Sequence, residues 1–339
     1  MAHNGLLERK KTGMVVLFMW ACFVAMAAVM PVDATTYADL LQVVTTANSS
    51  CSIVVHSDVL LSGNLPIIDP EICQTLTITG ACGRRLCKID GGGKYSFIRG
   101  PHLSSVHLEN LEVTRCRSSA SLFSAPVLYV QAGATIRNCR FAGNVNVGQG
   151  GVISAFEGEI TISNSEFSLN RASSGGAIHA DSFATLTMTS VKFVRNLATK
   201  GVGGAINNVE STLLCQNCVF DMNRARDGGA VALSDDDGTD AVFTSCRFSG
   251  NRATKKGGKG GAVLVGIISP GAKFCRSTFV HNVALDRRGG RYVTQHVWID
   301  MDEMSVEDST VVFCPARPAA GVFVRPAFAA NVKNDCSVC

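Results

Sequence analysis

The sequence predicts an all-β protein, a single-stranded parallel β-helix (solenoid) with a short N-terminal capping helix. Two observations predict this fold. The motif Phe-x-x-Asn occurs six times at intervals of 26 to 31 residues, and a Gly-Gly pair recurs between its copies. A repeat of about 20 to 50 residues is typical of solenoids, in which each unit buries its apolar face against the next. The Phe and Asn positions of the six copies are Phe141, Asn144, Phe167, Asn170, Phe193, Asn196, Phe220, Asn223, Phe248, Asn251, Phe279 and Asn282.

Each copy contains short runs in which apolar and polar residues alternate. Ile160 and Ile162 lie an odd number of residues before Phe167, so a one-residue slip must separate two strands if all three side chains point inward. A third short strand follows the Gly-Gly pair, as at Ile178. Three strands and three turns leave no room for the crossover helix of a βαβ unit, so each copy is predicted to form one coil of a β-helix.

Stacked coils place like residues over like residues, because neighbouring parallel strands lie about 4.8 Å apart. We therefore expect the Phe side chains to fill the core as one column. We expect the Asn side chains to hydrogen-bond along a second column. From Leu76 to Phe313 the pattern predicts about nine coils.

The repeat also resembles that of a known family. Gly-Gly-Ala-Ile paired with Phe-x-x-Asn, as at Gly175–Ile178 and Gly203–Ile206, resembles the repeat of the chlamydial polymorphic outer membrane proteins. Those proteins belong to the pectin-lyase-like group, so the resemblance, which covers about half of the chain, implies a right-handed parallel β-helix. The stretch Leu76–Gly93 resembles the opening coils of pectin-lyase-like proteins. Too few residues follow Gly290 for the large membrane barrel of the chlamydial family, so we do not expect autotransport.

Residues 1–34 are predicted to be a signal peptide. A basic stretch, Arg9–Lys11, precedes an apolar run from Met14 to Met30, and small residues follow, so we expect cleavage after Ala34. The alternative is an uncleaved signal anchor, in which residues 13–32 span a membrane. In both cases the repeats lie outside the cytoplasm, and the protein is secreted or held at the cell surface.

The rest of the chain is predicted to form one elongated β-helix domain, residues 35–339. Residues 35–74 supply an N-terminal cap and the first strands, with an amphipathic helix at 36–47 that covers the open end of the core. Residues 75–290 form the coils. Residues 291–339 form the last coil and a C-terminal cap.

Cysteine usage indicates an oxidising compartment. Of the 14 cysteines one lies in the predicted signal peptide, which leaves an odd number and hence at least one free or intermolecular thiol. Cys82 and Cys87 are close enough in sequence for a local disulfide, and Cys51 is a candidate partner of Cys73. A disulfide is also expected to pin the C-terminal cap, which ends in Cys336-Ser-Val-Cys339.

Further cysteines lie within the repeats. Cys215 and Cys218 have the spacing of half a zinc site, as do Cys336 and Cys339, but the two pairs lie far apart along the stack. Cys215 and Cys218 fall on core positions, which favours the alternative that they are small buried apolar residues. Cys218 and Cys246 occupy equivalent positions in adjacent coils and could form a disulfide.

Basic residues recur before the Gly-Gly pairs, and stacking is expected to align them along one edge. These candidate ligand-binding residues are Arg171, Lys200, Arg224, Arg226, Arg252, Lys255, Lys256, Lys259, Arg287 and Arg288. A row of cations would bind an acidic polysaccharide or another surface protein. The alternative is that charged turns only keep the solenoid soluble and its edges unpaired. The net charge of +4 is modest, and we expect no nucleic-acid partner.

Four carboxylates in one loop form a candidate calcium site, because Ca²⁺ prefers oxygen ligands. They are Asp235, Asp236, Asp237 and Asp240. The loop has neither EF-hand spacing nor Gly-Gly-x-Gly-x-Asp nonapeptides, so a solvated insertion is the favoured alternative. No other cofactor is expected.

The sequence contains no catalytic signature that we can assign. The Asn-Thr-Asp, Gly-His-Gly and Arg-Ile-Lys signatures of β-helix polygalacturonases are absent from it. His179 follows a Gly-Gly-Ala-Ile strand and is expected only to decorate a face of the solenoid. The sequence therefore predicts a structural or adhesive protein that binds a polysaccharide or a surface protein along its stack. The alternative is a pectin-lyase-like enzyme acting on an acidic polysaccharide.

Overall fold

The computed structural model is a parallel β-solenoid, and its strands from successive coils build four sheets along one axis. It describes residues 31–46, 50–100, 102–119, 125–234, 240–266, 271–288, 290–300, 310–314, 321–324 and 332–339. We number the sheets first to fourth in the order in which each coil visits them. They contain 12, 9, 8 and 9 strands, which makes about nine turns, as the repeat predicts.

The strands of each sheet follow one another along the axis in chain order. The first sheet contains Val32–Ala34, Ser50–Val55, Thr75–Gly80, Ser105–Glu109, Gly133–Arg137, Glu159–Ser163, Thr185–Thr189, Thr212–Gln216, Asp240–Thr244, Gly271–Cys275, Thr310–Cys314 and Val332–Asn334. The second contains Val59–Leu60, Cys87–Asp90, Leu111–Thr114, Arg140–Ala142, Glu166–Ser168, Lys192–Val194, Val219–Asp221, Arg247–Ser249 and Thr278–Val280. The third contains Arg117–Ser118, Val145–Asn146, Arg171–Ala172, Leu197–Ala198, Arg224–Ala225, Arg252–Ala253, Val283–Leu285 and Tyr292–Thr294. The fourth contains Ile98–Gly100, Leu128–Val130, Ile153–Phe156, Ile178–Asp181, Ile206–Val209, Val231–Ser234, Val263–Val265, Val297–Ile299 and Val322–Val324.

The coils that carry the motif have four strands, so the prediction of three strands per coil is wrong. The additional strand follows the motif Asn and belongs to the third sheet, as at Arg171–Ala172 and Arg224–Ala225. Its first residue is exposed and its second, an Ala, is buried. Two residues are too few to give a recognisable period-two pattern, so the sequence made this strand look like part of a turn.

The Phe side chains of the motif form the predicted column. Their neighbouring ring centroids lie 4.7 to 5.1 Å apart, and the rings are within 23° of parallel. A second aromatic column, Phe243, Phe274 and Phe313, stacks with centroid distances of 5.2 and 5.1 Å. The two columns meet edge to face, as at Phe243 and Phe248, whose planes differ by 71°. Together they fill the core with apolar surface from coil to coil.

The Asn side chains form the other predicted column, and all six are fully buried. Each of the first five amides donates to the side-chain oxygen of the Asn in the next coil over 2.8 to 3.1 Å, and the sixth, of Asn282, lies 3.4 Å from a ring nitrogen of His296. Each amide also donates to the backbone carbonyl of a residue in the preceding coil, as Asn196 does to Phe167 over 2.9 Å. The buried bend after each Phe therefore has its polar groups satisfied without water.

The predicted one-residue slip is a left-handed turn residue between the first and second sheets. Asn138, Asn164 and Asn217 occupy this position with φ of 50°, 49° and 55°. Asn adopts this conformation more readily than most residues because its side chain can hydrogen-bond locally. The bend returns the chain to the inward register, so that the following Phe reaches the core.

A helix, Tyr37–Thr46, covers the N-terminal end of the solenoid, close to its predicted bounds. The hydroxyl of Thr36 accepts the N–H of Asp39 at 3.3 Å, and the Asp39 carboxylate accepts the N–H of Thr36 at 2.8 Å. This reciprocal capping satisfies two donors at the helix start. Leu40 and Val44 are buried against the first coil, so the helix closes the core.

The predicted signal peptide lies largely outside the described residues, which begin at residue 31, and it stays a prediction. Val32–Ala34 pair in parallel with Ile53–Val55 and form the first strand of the first sheet. Among the described residues, no helix is long and apolar enough to cross a membrane.

Four disulfides join eight of the cysteines. The pairs are Cys51–Cys73, Cys82–Cys87, Cys275–Cys339 and Cys314–Cys336. The first two pairs are those that the sequence predicts. The other two pin the C-terminal segment, as expected, but through partners in the repeats. Cys275 and Cys314 are neighbours on the first sheet, so the tail is tied to two adjacent coils.

Five other described cysteines are free and buried: Cys116, Cys139, Cys215, Cys218 and Cys246. Cys218 and Cys246 are buried thiols and no disulfide joins them, so the predicted bridge is wrong. Side chains at equivalent positions of parallel coils point in the same direction, and the thiols turn instead to carbonyl oxygens. The Cys246 thiol lies 3.4 Å from the carbonyl oxygen of Cys215. Burial of all three residues agrees with the interpretation of Cys215 and Cys218 as small apolar core residues.

Candidate anion-binding groove

The outward residues of the third sheet form a column in which arginine recurs. Its central members, in register, are Val145, Arg171, Leu197, Arg224 and Arg252. Each Arg is followed by a buried Ala, so the chain turns its small side chain inward and its cation outward. Because coils are about 4.8 Å apart, Arg224 and Arg252 lie one coil spacing apart, and Arg171 lies two spacings from Arg224.

A second column runs beside the first and is formed by the residue before each motif Asn. Its members are Gly143, Leu169, Arg195, Met222, Gly250 and His281, all left-handed with φ of 53° to 65°. Gly adopts this conformation freely, whereas other residues cost roughly 1 kcal/mol or more. Leu169 and Met222 are nevertheless 60% and 46% exposed. Three consecutive coils therefore hold large side chains outward where the coils on either side of them have glycine.

The two columns border an open groove of about 470 Å³ at the corner between the second and third sheets. It is lined by Arg195, Asn196, Leu197, Met222, Arg224, Gly250 and Arg252. Asn196 is engaged in the buried amide column, so the polar side chains that face a ligand are guanidinium groups. Arginine and an apolar residue alternate between the columns, since Arg195 stands beside Leu197 and Met222 beside Arg224. None of these described lining residues is a carboxylate or a histidine, so the groove offers no acid pair for glycoside hydrolysis.

The groove is positively charged without internal compensation. In the part of the chain that the structure describes, no ion pair joins Arg195, Arg224 or Arg252 to a carboxylate. The guanidinium of Arg252 lies 5.5 Å from the centroid of the Tyr292 ring, a contact that keeps its charge. The guanidinium groups are therefore available to an anion.

The neighbouring second sheet shows a different arrangement of charge. Arg140 lies 3.1 Å from Glu112 and 3.6 Å from Glu166, its neighbours in the adjacent coils. Alternating signs in one column neutralise each other across the ladder. The columns of the arginine groove do not alternate acidic with basic residues in this way, although stacked coils would allow a carboxylate to stand next to each arginine.

The structure divides the ten predicted basic residues into two groups. Arg171, Arg224 and Arg252 lie on strands of the third sheet, and the last two line the groove. The other seven lie in the loop between the third sheet and the Gly-Gly pair, or in the corresponding later turn; they are Lys200, Arg226, Lys255, Lys256, Lys259, Arg287 and Arg288.

Some of these loop cations have partners of their own. Lys255 pairs with Asp227 over 3.6 Å, and Lys259 pairs with Asp300. Arg226 donates to the carbonyl of Lys200 over 3.3 Å. The loop is therefore a less uniform cationic edge than the third sheet.

Sequence reasoning missed Arg195, Leu197 and Met222. The available signal was the third position of the motif Phe-x-x-Asn, which holds Gly in two copies and a large side chain in others. This variation points to a surface column only when the backbone at the third motif position is known to be left-handed and its side chain exposed, and the structure shows both.

Most of the candidate calcium site lies outside the described residues. Asp235, Asp236 and Asp237 belong to the undescribed segment 235–239, and Asp240 lies 3.4 Å from the ammonium of Lys273. Within the described ranges, no group of three or more His, Cys, Asp or Glu side chains is placed to hold a metal ion. The calcium hypothesis therefore stays untested for those three residues.

His179 does not decorate an open face, and that expectation is wrong. It is 1% exposed, because the central strands of the fourth sheet are buried on both faces. One ring nitrogen lies 3.2 Å from the Asn207 amide and the other 3.5 Å from Asp181. The adjacent His179 ring lowers the pKa of Asp181, against the opposing effect of burial. His179 thus has a packing role.

Comparison with known families agrees with this architecture. The family described as "Right handed beta helix region" matches residues 102–284, which is more than half of the 339 residues. The chain belongs to the right-handed β-helix family. The matched stretch contains every copy of the motif and both columns of the groove, so the groove is built on the β-helix itself.

Part of the chain is also similar to part of a curated protein. Metabotropic glutamate receptor-like protein R of Dictyostelium discoideum is 33% identical over 116 residues. The alignment covers 34% of this chain and 7% of that protein, so the chain spans a small part of the relative's length. No solved structure matches the chain.

Proposed function

We propose that this β-helix is a secreted or cell-surface protein with an adhesive or structural role, and that its arginine groove binds an anionic polysaccharide. One observation carries the proposal. Arg171, Arg195, Arg224 and Arg252 place one outward cation on each of four consecutive coils, and none pairs with a carboxylate among the described residues. Aligned like charge attracts a polyanion.

The row of four arginines on consecutive coils favours a linear ligand. It spans three coil spacings, about 14 Å, along the axis of the solenoid. A polysaccharide can lie along this direction and place one anionic group in the groove while others meet the remaining cations. Leu197 and Met222 supply apolar surface beside the cations, which suits the carbon faces of a sugar ring.

The fold supports binding by holding the cations in place. The backbones of Arg195 and Arg224 flank the buried amide column, and they cannot shift without breaking its hydrogen bonds. A prearranged site loses less conformational freedom when the ligand arrives. This rigidity is the physical contribution of the repeat to the proposed function.

The cellular location is part of the same proposal. Four disulfides fit an oxidising compartment outside the cytoplasm. Residues 1–34 would direct the chain there. The finer resemblance, to the repeats of the chlamydial polymorphic outer membrane proteins, stays a hypothesis that the six in-register copies of the motif support.

Replacement of Arg224 and Arg252 by Ser is expected to weaken binding to heparin, which carries both sulfate and carboxylate groups, about tenfold or more. The reason is the loss of two adjacent charge-assisted contacts, each worth on the order of 1 kcal/mol at an exposed site. The dissociation constant is measured by titration of the full chain with heparin at several salt concentrations. Wild-type affinity should fall as salt rises, because salt screens exposed charges.

The matched control replaces Lys256 and Arg288 by Ser. These two residues are exposed loop cations outside the groove, so the control removes the same charge. It should weaken binding less than about threefold. Equal losses in both double variants, or wild-type binding that ignores salt, would contradict the proposal.

A further inference from the structure

We infer that the anionic group bound in the arginine groove is a sulfate ester of the polysaccharide and not a sugar carboxylate. This inference rests on the proposed function and specifies the chemistry of its ligand. It follows from the number and type of the cations around the groove and from the backbone conformation of Arg195.

The first argument is convergence. Arg195, Arg224 and Arg252 belong to three consecutive coils and line one groove of about 470 Å³. Arg224 and Arg252 are register partners, and Arg195 approaches from the neighbouring column. The extended side chains are longer than the coil spacing of about 4.8 Å, so three guanidinium groups can reach one point.

Such a donor set fits a tetrahedral anion better than a planar one. A carboxylate has two oxygens in one plane, and one arginine fork satisfies both of them. A sulfate ester has three terminal oxygens that point in different directions, so it can accept from several guanidinium groups at once. The described lining residues present no other charged group, so a carboxylate would leave two cations of the groove without a partner.

The second argument is the choice of cation. The cations that line the groove are all arginines, whereas four of the seven candidate cations in the adjoining loops are lysines. Guanidinium is more weakly hydrated than ammonium and tolerates apolar neighbours. Leu197 and Met222 lie beside the arginines and reduce contact with water. A sulfate ester is also more weakly hydrated than a carboxylate, so it gives up less hydration free energy when it binds beside these apolar side chains.

The third argument is the conformation of Arg195. Its φ of 55° lies in the left-handed region, where the equivalent residues Gly143 and Gly250 are glycines and where Leu169, Met222 and His281 share its conformation. A large side chain held in such a conformation is a reason to suspect a binding role. Solubility alone would not require an arginine in this strained conformation, because a lysine on the neighbouring strand would supply the same charge.

The test compares three polymers with one backbone. Dextran sulfate and carboxymethyl dextran are prepared with the same number of charges per glucose, and unmodified dextran is the neutral reference. The dissociation constant of the full-length protein for each is measured near physiological salt, about 0.15 M. We expect dextran sulfate to bind at least about tenfold more tightly than carboxymethyl dextran, and unmodified dextran not to bind.

A charge-conserving variant provides the second readout. Arg195→Lys combined with Arg224→Lys keeps the net charge but removes the forked donors. We expect it to lose most of the preference for dextran sulfate over carboxymethyl dextran. Lys200→Arg is the matched control in the loop and should leave the preference unchanged. Circular dichroism of each variant establishes that it is folded.

The outcomes separate this inference from the proposed function. Equal affinity for both charged polymers would overturn the sulfate assignment and leave an anion-binding groove. Phosphorylated dextran is measured in the same way as a fourth polymer, and tighter binding of it than of dextran sulfate would also overturn the sulfate assignment. Failure of every charged polymer to bind would overturn the proposed function itself.

Discussion

Replacement of Asn196 by Leu is expected to lower the free energy of unfolding by about 3 to 5 kcal/mol, because it leaves several buried polar groups without partners. The Asn196 side chain accepts the backbone N–H of Asn170 at 3.1 Å and donates to the carbonyl of Phe167 at 2.9 Å. Its oxygen also accepts the side-chain amide of Asn170 at 3.0 Å. Leu has nearly the same volume, so the loss reports hydrogen bonding and not a cavity.

The control is Asn217→Ser, at an exposed Asn of the bend between the first and second sheets. Neighbouring coils have Ser190 and Ser245 at the same position, and all three residues are left-handed. The cost there should stay below about 1 kcal/mol, as for an ordinary surface substitution. Both variants are unfolded in urea and followed by circular dichroism. A cost of less than about 1 kcal/mol for Asn196→Leu would show that the amide column contributes little.

Replacement of Phe193 by Ala is the second large effect, with an expected loss of about 3 to 5 kcal/mol. Phe193 is fully buried, and its ring lies 5.1 Å from that of Phe167 and 5.0 Å from that of Phe220. Truncation removes apolar surface, opens a cavity between two rings that the backbone holds apart, and loses stacking with both. The measurement is again the free energy of unfolding in urea.

Two controls accompany this variant. Phe193→Leu keeps most of the buried volume and should cost less than Phe193→Ala. Phe183→Ala removes an aromatic ring that is 58% exposed, at a residue whose φ is also positive, and should cost less than about 1 kcal/mol. Equal losses at Phe193 and Phe183 would argue against a continuous aromatic core.

The columns of the core could be predicted from the sequence because every coil repeats the same inward residues. Phe141 and Asn144 begin the pattern, and five later copies repeat it at a nearly constant interval. The N-terminal disulfides were also predictable, since Cys82 and Cys87 are only five residues apart. Both features depend on short or regular separations in the sequence, which can be read without the structure.

Features that depend on distant or very short segments were not predictable. Cys275 and Cys339 pair across 64 residues, and the decayed pattern after residue 290 gives no register for the tail. The strand Arg171–Ala172 is too short to show alternation, so its arginine was assigned to a turn. The burial of His179 depends on what covers the outer face of the fourth sheet, which alternation along a single strand does not reveal.

The candidate site was predicted in part for the same reasons. The recurrence of Arg224 and Arg252 after the motif Asn was visible in the sequence, and stacking made their alignment a fair expectation. Arg195 and Met222 were not recognised, because their exposure follows from a left-handed backbone conformation. The sequence therefore indicated which edge carries positive charge, and the structure showed where that charge borders a groove.

The central claim is that the coils stack in register and thereby align one arginine per coil. Spin labels at Val145→Cys and Val283→Cys test it most directly, because these residues bracket the arginine column in the same register. Five coil spacings separate the two labels, which predicts a distance of about 24 Å by double electron–electron resonance. Labels at Val145→Cys and Arg252→Cys should lie one spacing closer, at about 19 Å. Distances that do not change by about one coil spacing between the two pairs would contradict the stacked register and the arginine row that depends on it.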